Sequence, residues 1–446
     1  MPTRPIAGSQ GFPVPKNRIV LAALLFSSVI GSAVVVHAQS GETVQHPALP
    51  PLPFESEQAG GLTRAEAMQR VAELTSLGKR MFFDPSLSAS GNVACVTCHS
   101  PAFAFGPPND LAVQLAGSDG HQPGLRAVPG LTYLQLNGGF TPHYYESDED
   151  GDESIDNGPT GGLTWDGRAN QIRDQVSIPL LSSFEMANAS IADVVKKARA
   201  AGYVTELQRI MQDDSLATDD THAFQAIAFA FEVHEQDYRT FFPYSSKFDA
   251  VLRHQASFTP QEAHGLALFN DPAKGNCASC HISKTSAVGT SPVFTDHGLI
   301  ALGAPRNPAI PANADPTYFD LGLCGPLRTD YKDNAAYCGL FETPSLRNVA
   351  LRKTFMHNGL IHDLRQAVAF YVERDTQPEK WYPVAADGTV QKFNDLPRQY
   401  WSNINQEAPF GQHPGDRPVL SDAEIDDIVA FLQTLTDGYK PAEATQ

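Results

Sequence analysis

Apolar positions along this chain recur at helical rather than strand spacing. Near the C-terminus Ile425, Ile428, Val429 and Leu432 line one face of a helix, and Ser421 with Glu424 forms a capping box at its start. Two more boxes, Thr63 with Glu66 and Thr259 with Glu262, open helices that run into similar turns. The first turn holds Phe82, Phe83, Asp84 and Pro85; the second holds Phe269, Asn270, Asp271 and Pro272. This is an internal repeat of a whole domain. The helix that starts at Ser421 is expected to close the second copy, and the stretch AFQAIAFAFEVHEQDYRTF from Ala223 onward to close the first. A boundary is expected between Pro243 and Ser257.

One segment breaks the pattern. In GLTWDGRANQIRDQVSIPLLSSFEM, residues 162–186, Trp165, Gln175 and Glu185 stand ten residues apart. Ten residues turn a helix by roughly 1000°, so these side chains would not share one face. Gly167 and Pro179 are expected to interrupt any continuous helix. A loop with Trp165, a short helix with Gln175 and a second loop with Glu185 are predicted, an arrangement that suggests a site.

Both helical starts lead to a cysteine motif. CVTCH (Cys95, Cys98, His99) and CASCH (Cys277, Cys280, His281) have the C-x-x-C-H spacing of covalent haem attachment. Two thiols add across the haem vinyls, and the adjacent imidazole binds the iron. A zinc site or a redox dithiol would use the same residues, but two copies in an exported chain favour haem. The predicted fold is therefore mainly α, with two tandem cytochrome c-like domains over residues 59–245 and 246–440, each with one covalent c-type haem. The C-terminal copy carries a long insertion. Within it Cys324 and Cys338 are expected to form a structural disulfide, worth about 3 kcal/mol.

Export is read from the N-terminus. Lys16 and Arg18 precede an apolar run from Ile19 to Val36, and Val36-His37-Ala38 has a small-x-Ala cleavage pattern. Residues 1–38 are predicted to be a signal peptide; uncleaved, they would anchor the chain, because about 18 apolar residues can span a bilayer. Residues 39–58 are a Pro-rich linker and 441–446 a tail, both expected to be disordered. Formal charge is −18, and loss of Arg4, Lys16 and Arg18 with no acid takes it near −21. That excludes nucleic acid as a natural partner and favours a basic patch on any protein partner. The acidic run from Glu146 to Asp156 has a calcium-loop flavour, but Glu153 stands where an EF-hand needs Gly, so a solvated surface loop is expected.

Two C-x-x-C-H sites with WDGR, a Gln ten residues after the Trp, Glu-Met twenty after it, LRN, FMHNG and the terminal helix resemble the di-haem cytochrome c peroxidase and MauG superfamily. The likeness covers roughly residues 60–440. It implies that the N-terminal haem, bound by His99, is the peroxide site. Glu185 would then be the acid–base group over its distal face, Gln175 a hydrogen-bonding neighbour, and Trp165 a relay between the haems. Met186 would line that pocket, and Arg168 would pair with a propionate or a nearby Asp. The C-terminal haem, on Cys277, Cys280 and His281, would pass electrons. Its sixth ligand would be Tyr371, fourteen residues after His357, with Met356 the alternative. Peroxidases of this superfamily use Met there and MauG-like members use Tyr, whose oxygen stabilises oxidised iron. His357 would bond a propionate, and His362 is a surface residue.

Two departures from the superfamily pattern stand out. The His that blocks the peroxide haem in other members falls on Asp119, with His121 two residues away, so the distal site is expected to be open unless His121 closes it. An Asn that ligates calcium between the haems is Ala127, which leaves calcium only backbone carbonyls. The expected function is an exported, periplasmic di-haem peroxidase that reduces hydrogen peroxide with electrons from a small redox protein, a cytochrome c or a cupredoxin. The alternatives are MauG-like oxidation of a protein or other bulky substrate, and a non-catalytic electron carrier. A homodimer is compatible with each.

Overall fold

The computed structural model describes residues 62–145, 156–286 and 289–440. The predicted signal peptide, the linker, the tail and residues 146–155 of the acidic run lie outside the described residues. In the N-terminal half are helices α1 (Arg64–Phe82), α2 (Cys95–Cys98), α3 (Ile172–Leu181), α4 (Ile191–Ala200), α5 (Tyr203–Met211), α6 (Asp220–Glu235) and α7 (Tyr238–Phe241). The C-terminal half holds α8 (Lys247–Leu252), α9 (Pro260–Asn270), α10 (Leu364–Glu373), α11 (Pro378–Trp381) and α12 (Asp422–Gln433). The chain is mainly α. Its described strands are two antiparallel pairs, β1 (Leu115–Ala116) with β2 (Gln122–Pro123) and β3 (Leu299–Ile300) with β4 (Phe341–Glu342).

All three capping boxes form. Thr63, Thr259 and Ser421 accept from the backbone N–H of Glu66, Glu262 and Glu424, and each glutamate carboxylate returns to the cap backbone at 2.7–2.8 Å. The helices they start pack in matching pairs, α1 on α6 and α9 on α12. Each pair crosses at a glycine. A Cβ on Gly78 would stand 2.0 Å from the Ala230 carbonyl oxygen, and one on Gly265 would stand 1.9 Å from that of Asp427. Both glycines precede a fully buried phenylalanine, Phe82 or Phe269, by four residues. The repeat thus extends from turn chemistry to the contact that holds each half together. Gly78→Ala is expected to cost about 1–3 kcal/mol or more, because backbone must move to admit the methyl. A thermal melt checks it; an unchanged midpoint would contradict the crossing.

One apolar core runs from Leu74 to Phe241 and a second from Phe248 to Leu435. A third cluster, from Leu299 to Ile404, fills the long insertion, where Cys324 and Cys338 are joined as a disulfide. The two halves are tied directly: Tyr133 donates to Asp437 at 2.8 Å, and the Ser245 N–H reaches the same carboxylate at 3.0 Å.

Two helices differ from expectation. Pro179 lies inside α3, which continues to Leu181. Its missing N–H falls near the helix end, where one lost bond to the Gln175 carbonyl is tolerated. Helix α6 begins at Asp220 rather than Ala223 because Asp219 caps it, accepting from Thr221 and His222 at 2.8 and 3.0 Å. It also stops at Glu235, and α7 carries the rest of the predicted stretch. No described helix is long and apolar enough to cross a membrane.

Candidate functional site

A cavity of about 140 Å³ in the N-terminal half is lined by Cys95, Cys98 and His99 on one side and by Gln175, Glu185 and Met186 on another. The loop after His99 explains the imidazole's orientation. Ala104 and Phe105 both take left-handed backbone angles, φ 51° and 56°, which is strained for residues with side chains. The turn brings the Phe105 carbonyl to 3.0 Å from His99 Nδ1. Nδ1 therefore carries the proton and donates, leaving Nε2 as the lone-pair nitrogen. Burial pushes the imidazole down to about 4, so it stays neutral.

Glu185 is held by backbone rather than by its own side chain. The turn after α3 folds back as the Met186 N–H donates to Pro179 O at 3.0 Å, while Glu185 O and Met186 O accept from Gly117 and Ala89 at 2.8 Å. Its Oε2 is sealed from bulk solvent and has no hydrogen-bond partner among the described residues. Burial raises the carboxyl above the ordinary range. Ser182 and the charge of Arg168 act against that rise without cancelling it, so the cavity wall holds a carboxyl with a raised proton affinity.

Trp165 lines this cavity and also the larger one described next. Its Nε1 donates to Ala127 O at 2.7 Å, and its own carbonyl accepts from the Glu342 N–H at 2.8 Å, so the indole is fixed between the two spaces. Asp166, fully buried, accepts from Arg126 at 2.7 Å and from Arg168 at 2.9 Å. Burial alone would raise this carboxyl, but the two guanidiniums hold it at about 2. Arg126 also grips Asp320 with two bonds of 2.6 and 2.8 Å, tying WDGR to the insertion. Arg168 thus pairs with an Asp. His121 stands exposed in the turn between β1 and β2, its N–H on Asp119, outside the residues that line the cavity.

A cavity of about 250 Å³ in the C-terminal half repeats the arrangement with Cys277, Cys280 and His281. His281 Nδ1 stands 2.9 Å from the carbonyl of Phe294, again a residue with left-handed backbone, φ 57°. Burial pushes this imidazole also down to about 4. Tyr371, from α10, and Met356, with φ 66°, both reach the same space. The Tyr371 hydroxyl has no hydrogen-bond partner among the described residues. Tyr133, Tyr203, Tyr337 and Tyr382 all donate to one. His357 stacks on Phe341 at 3.6 Å and 8°, with Nε2 4.0 Å from Asp395. His362 is exposed.

The donor sets fit c-type haem. Each cavity offers a neutral imidazole whose Nδ1 is held by a backbone carbonyl, beside two sulfurs, and burial raises all four thiols, Cys98 and Cys277 to about 12. Two lining residues escaped the sequence reading. Glu235 continues the buried stripe of Ala228 and Phe231 on α6; burial, then the charge of Glu232, pushes it up to about 8. A carboxylate on an apolar stripe was the available signal. Arg352, in the wall of the larger cavity, gave none.

The methylamine utilization protein MauG of Paracoccus denitrificans is 33% identical over 414 residues, spanning 88% of this chain and 96% of that protein. The chain belongs to the di-haem cytochrome c peroxidase and MauG family. The family model described as di-haem cytochrome c peroxidase matches residues 72–257. Among solved structures, the diheme peroxidase BthA from Burkholderia thailandensis superposes with a TM-score of 0.71 at 38% identity, covering 82% of this chain and 86% of that one. A cytochrome-c peroxidase of Denitromonas iodatirespirans is 25% identical over 341 residues, 73% of this chain and 81% of that protein. Membership makes the protein a peroxidase-type oxidoreductase and implies two haems c.

Proposed function

We propose that this family member, exported to the periplasm, reduces hydrogen peroxide at the N-terminal cavity and moves electrons through the C-terminal one, each half forming a cytochrome c-like domain. The observation that carries this reading is Glu185, a buried carboxyl raised above its ordinary range that lines the same cavity as His99. Haem attached at Cys95 and Cys98 and bound through His99 would supply the metal at which the O–O bond is cleaved. Glu185 takes a proton from the near oxygen of hydrogen peroxide and returns it to the departing one, so that two electrons and two further protons complete two waters. Gln175, on the same cavity wall, orients the peroxide by hydrogen bonding. A non-catalytic carrier would have no use for an acid held in this way. The test is peroxide consumption by the two-haem protein with a reduced small redox protein as donor. No consumption above that of free haem would refute a peroxidase fed by such a donor and leave the substrate-oxidising reading below.

Trp165 serves as the relay between the two sites. Trp165→Phe is expected to leave both haems and the peroxide step in place while slowing electron exchange between the haems. Stopped-flow absorbance after reduction of one haem checks this; an unchanged rate would remove Trp165 from the path.

A second reading shares the peroxide step and differs in the source of electrons. Tyr371 reaches the cavity of His281, and a phenol oxygen as sixth ligand favours oxidised iron over a thioether's preference for reduced iron. That favours withdrawing electrons from a protein or other bulky substrate, as in the MauG-like alternative. Met356 as ligand would favour a cytochrome c or cupredoxin as donor.

A further inference from the structure

We propose that Arg352 is the resident cation between the two haem cavities and anchors a propionate of the haem in the larger one. This inference rests on the two-haem reading above. Arg352 lines the larger cavity, and its Nη2 donates at 3.0 Å to the carbonyl of Val128, which lines the smaller one. Its Nε donates to Thr354 O at 3.2 Å. A guanidinium has five N–H donors, and these two bonds to neutral carbonyls leave its charge unmatched.

No carboxylate among the described residues stands within ion-pair distance of Arg352. Other inward-facing arginines differ: Arg126, Arg347 and Arg374 each hold an aspartate at 2.7 Å. Arg352 is half-buried; a cation shielded from water without a counter-charge is costly, and burial pushes Arg352 down to about 10. Its Nη1 lies toward Gly106 and Gly130, where an added Cβ would be 3.8 and 4.0 Å away, and both glycines line the larger cavity. The guanidinium head therefore borders the space that a haem would fill. A haem carries two carboxylates on its propionates, and one would complete a charge-assisted pair with Arg352.

The same geometry bears on calcium. Three backbone carbonyls around Trp165 and Arg352, those of Ala127, Val128 and Thr354, are already engaged as acceptors. The first accepts from Trp165 Nε1 at 2.7 Å, and the other two accept from Arg352. The Arg352 guanidinium brings a positive charge between the two cavities, as a calcium ion there would.

The test uses the intact two-haem protein, its Arg352→Met variant, which removes the charge at similar volume, and its Arg352→Lys variant, which keeps the charge. Haem per chain is counted first; a value other than two overturns the two-haem reading and this inference with it. Equilibrium reduction is then titrated by absorbance for each haem. Arg352→Met is expected to shift the reduction equilibrium of the C-terminal haem about tenfold toward the oxidised form, since a positive charge nearby favours the added electron. Arg352→Lys should recover most of that shift. A chelator or added calcium should leave the wild-type titration unchanged. Two haems with unaltered equilibria in Arg352→Met would overturn the proposal, and so would a wild-type titration that moves on chelation. If Arg352→Met does not fold, Arg352→Gln takes its place in the same titration, with the same expected and overturning results.

Discussion

Tyr371→Phe is expected to convert the C-terminal haem from low-spin to high-spin and to raise its reduction potential. A tyrosine turned inward normally places its O–H on a partner, as Tyr133 does on Asp437 and Tyr382 does on Gly303 O at 2.6 Å. Tyr371 has no such partner, stacks loosely on Phe410 at 5.5 Å and reaches the cavity of His281. Burial raises the phenol, so it remains protonated unless a metal displaces the proton. Removing that oxygen donor should move the potential upward by a sizeable part of the roughly 0.8 V that axial ligands span. Low-temperature electron paramagnetic resonance and a spectroelectrochemical titration read both effects. A Tyr371→Phe protein with the wild-type low-spin signal would make Met356 the ligand and point to a conventional, cytochrome-fed peroxidase.

Glu185→Gln should keep both haems and slow the reaction with hydrogen peroxide by roughly 10²–10⁴, the usual worth of a positioned acid–base group. The substitution preserves shape, and the turn is held by backbone bonds at Gly117, Ala89 and Pro179 that the amide does not disturb. The pH dependence adds a sign. Accepting a proton requires the ionised carboxylate, and burial raises the Glu185 pKa. The wild-type rate should therefore fall with decreasing pH, beginning above the ordinary carboxylate range, and the variant should lack that limb. Stopped-flow rates across pH measure both, and an equal rate for the variant would remove Glu185 from the chemistry.

Features carried by local chemistry were legible in the sequence. The capping boxes at Thr63, Thr259 and Ser421 need only side chains three residues apart, and all three form. The same holds for the spacing within each cysteine motif. The convergence of Gln175, Glu185 and Trp165 on one cavity was readable only because three spacings occurred together, since each residue alone is ordinary. Long-range devices were not legible. The carbonyls that orient His99 and His281 come from Phe105 and Phe294, six and thirteen residues downstream, both left-handed residues that are not glycine. The expectation that Pro179 ends a helix failed because its position near the helix end made the lost bond cheap. Arg352 looks like any basic residue in LRNVALRKT; that it lacks a carboxylate is a property of the packed chain.

The central claim is that peroxide is activated at the N-terminal cavity, where Glu185 faces the space lined by His99 and His121 stands outside. The most direct measurement is electron paramagnetic resonance of the as-isolated, oxidised protein before and after one equivalent of hydrogen peroxide. The account predicts one high-spin and one low-spin haem at rest, with the high-spin signal lost on addition. Two low-spin signals that peroxide leaves unchanged would contradict it and leave an electron carrier in its place.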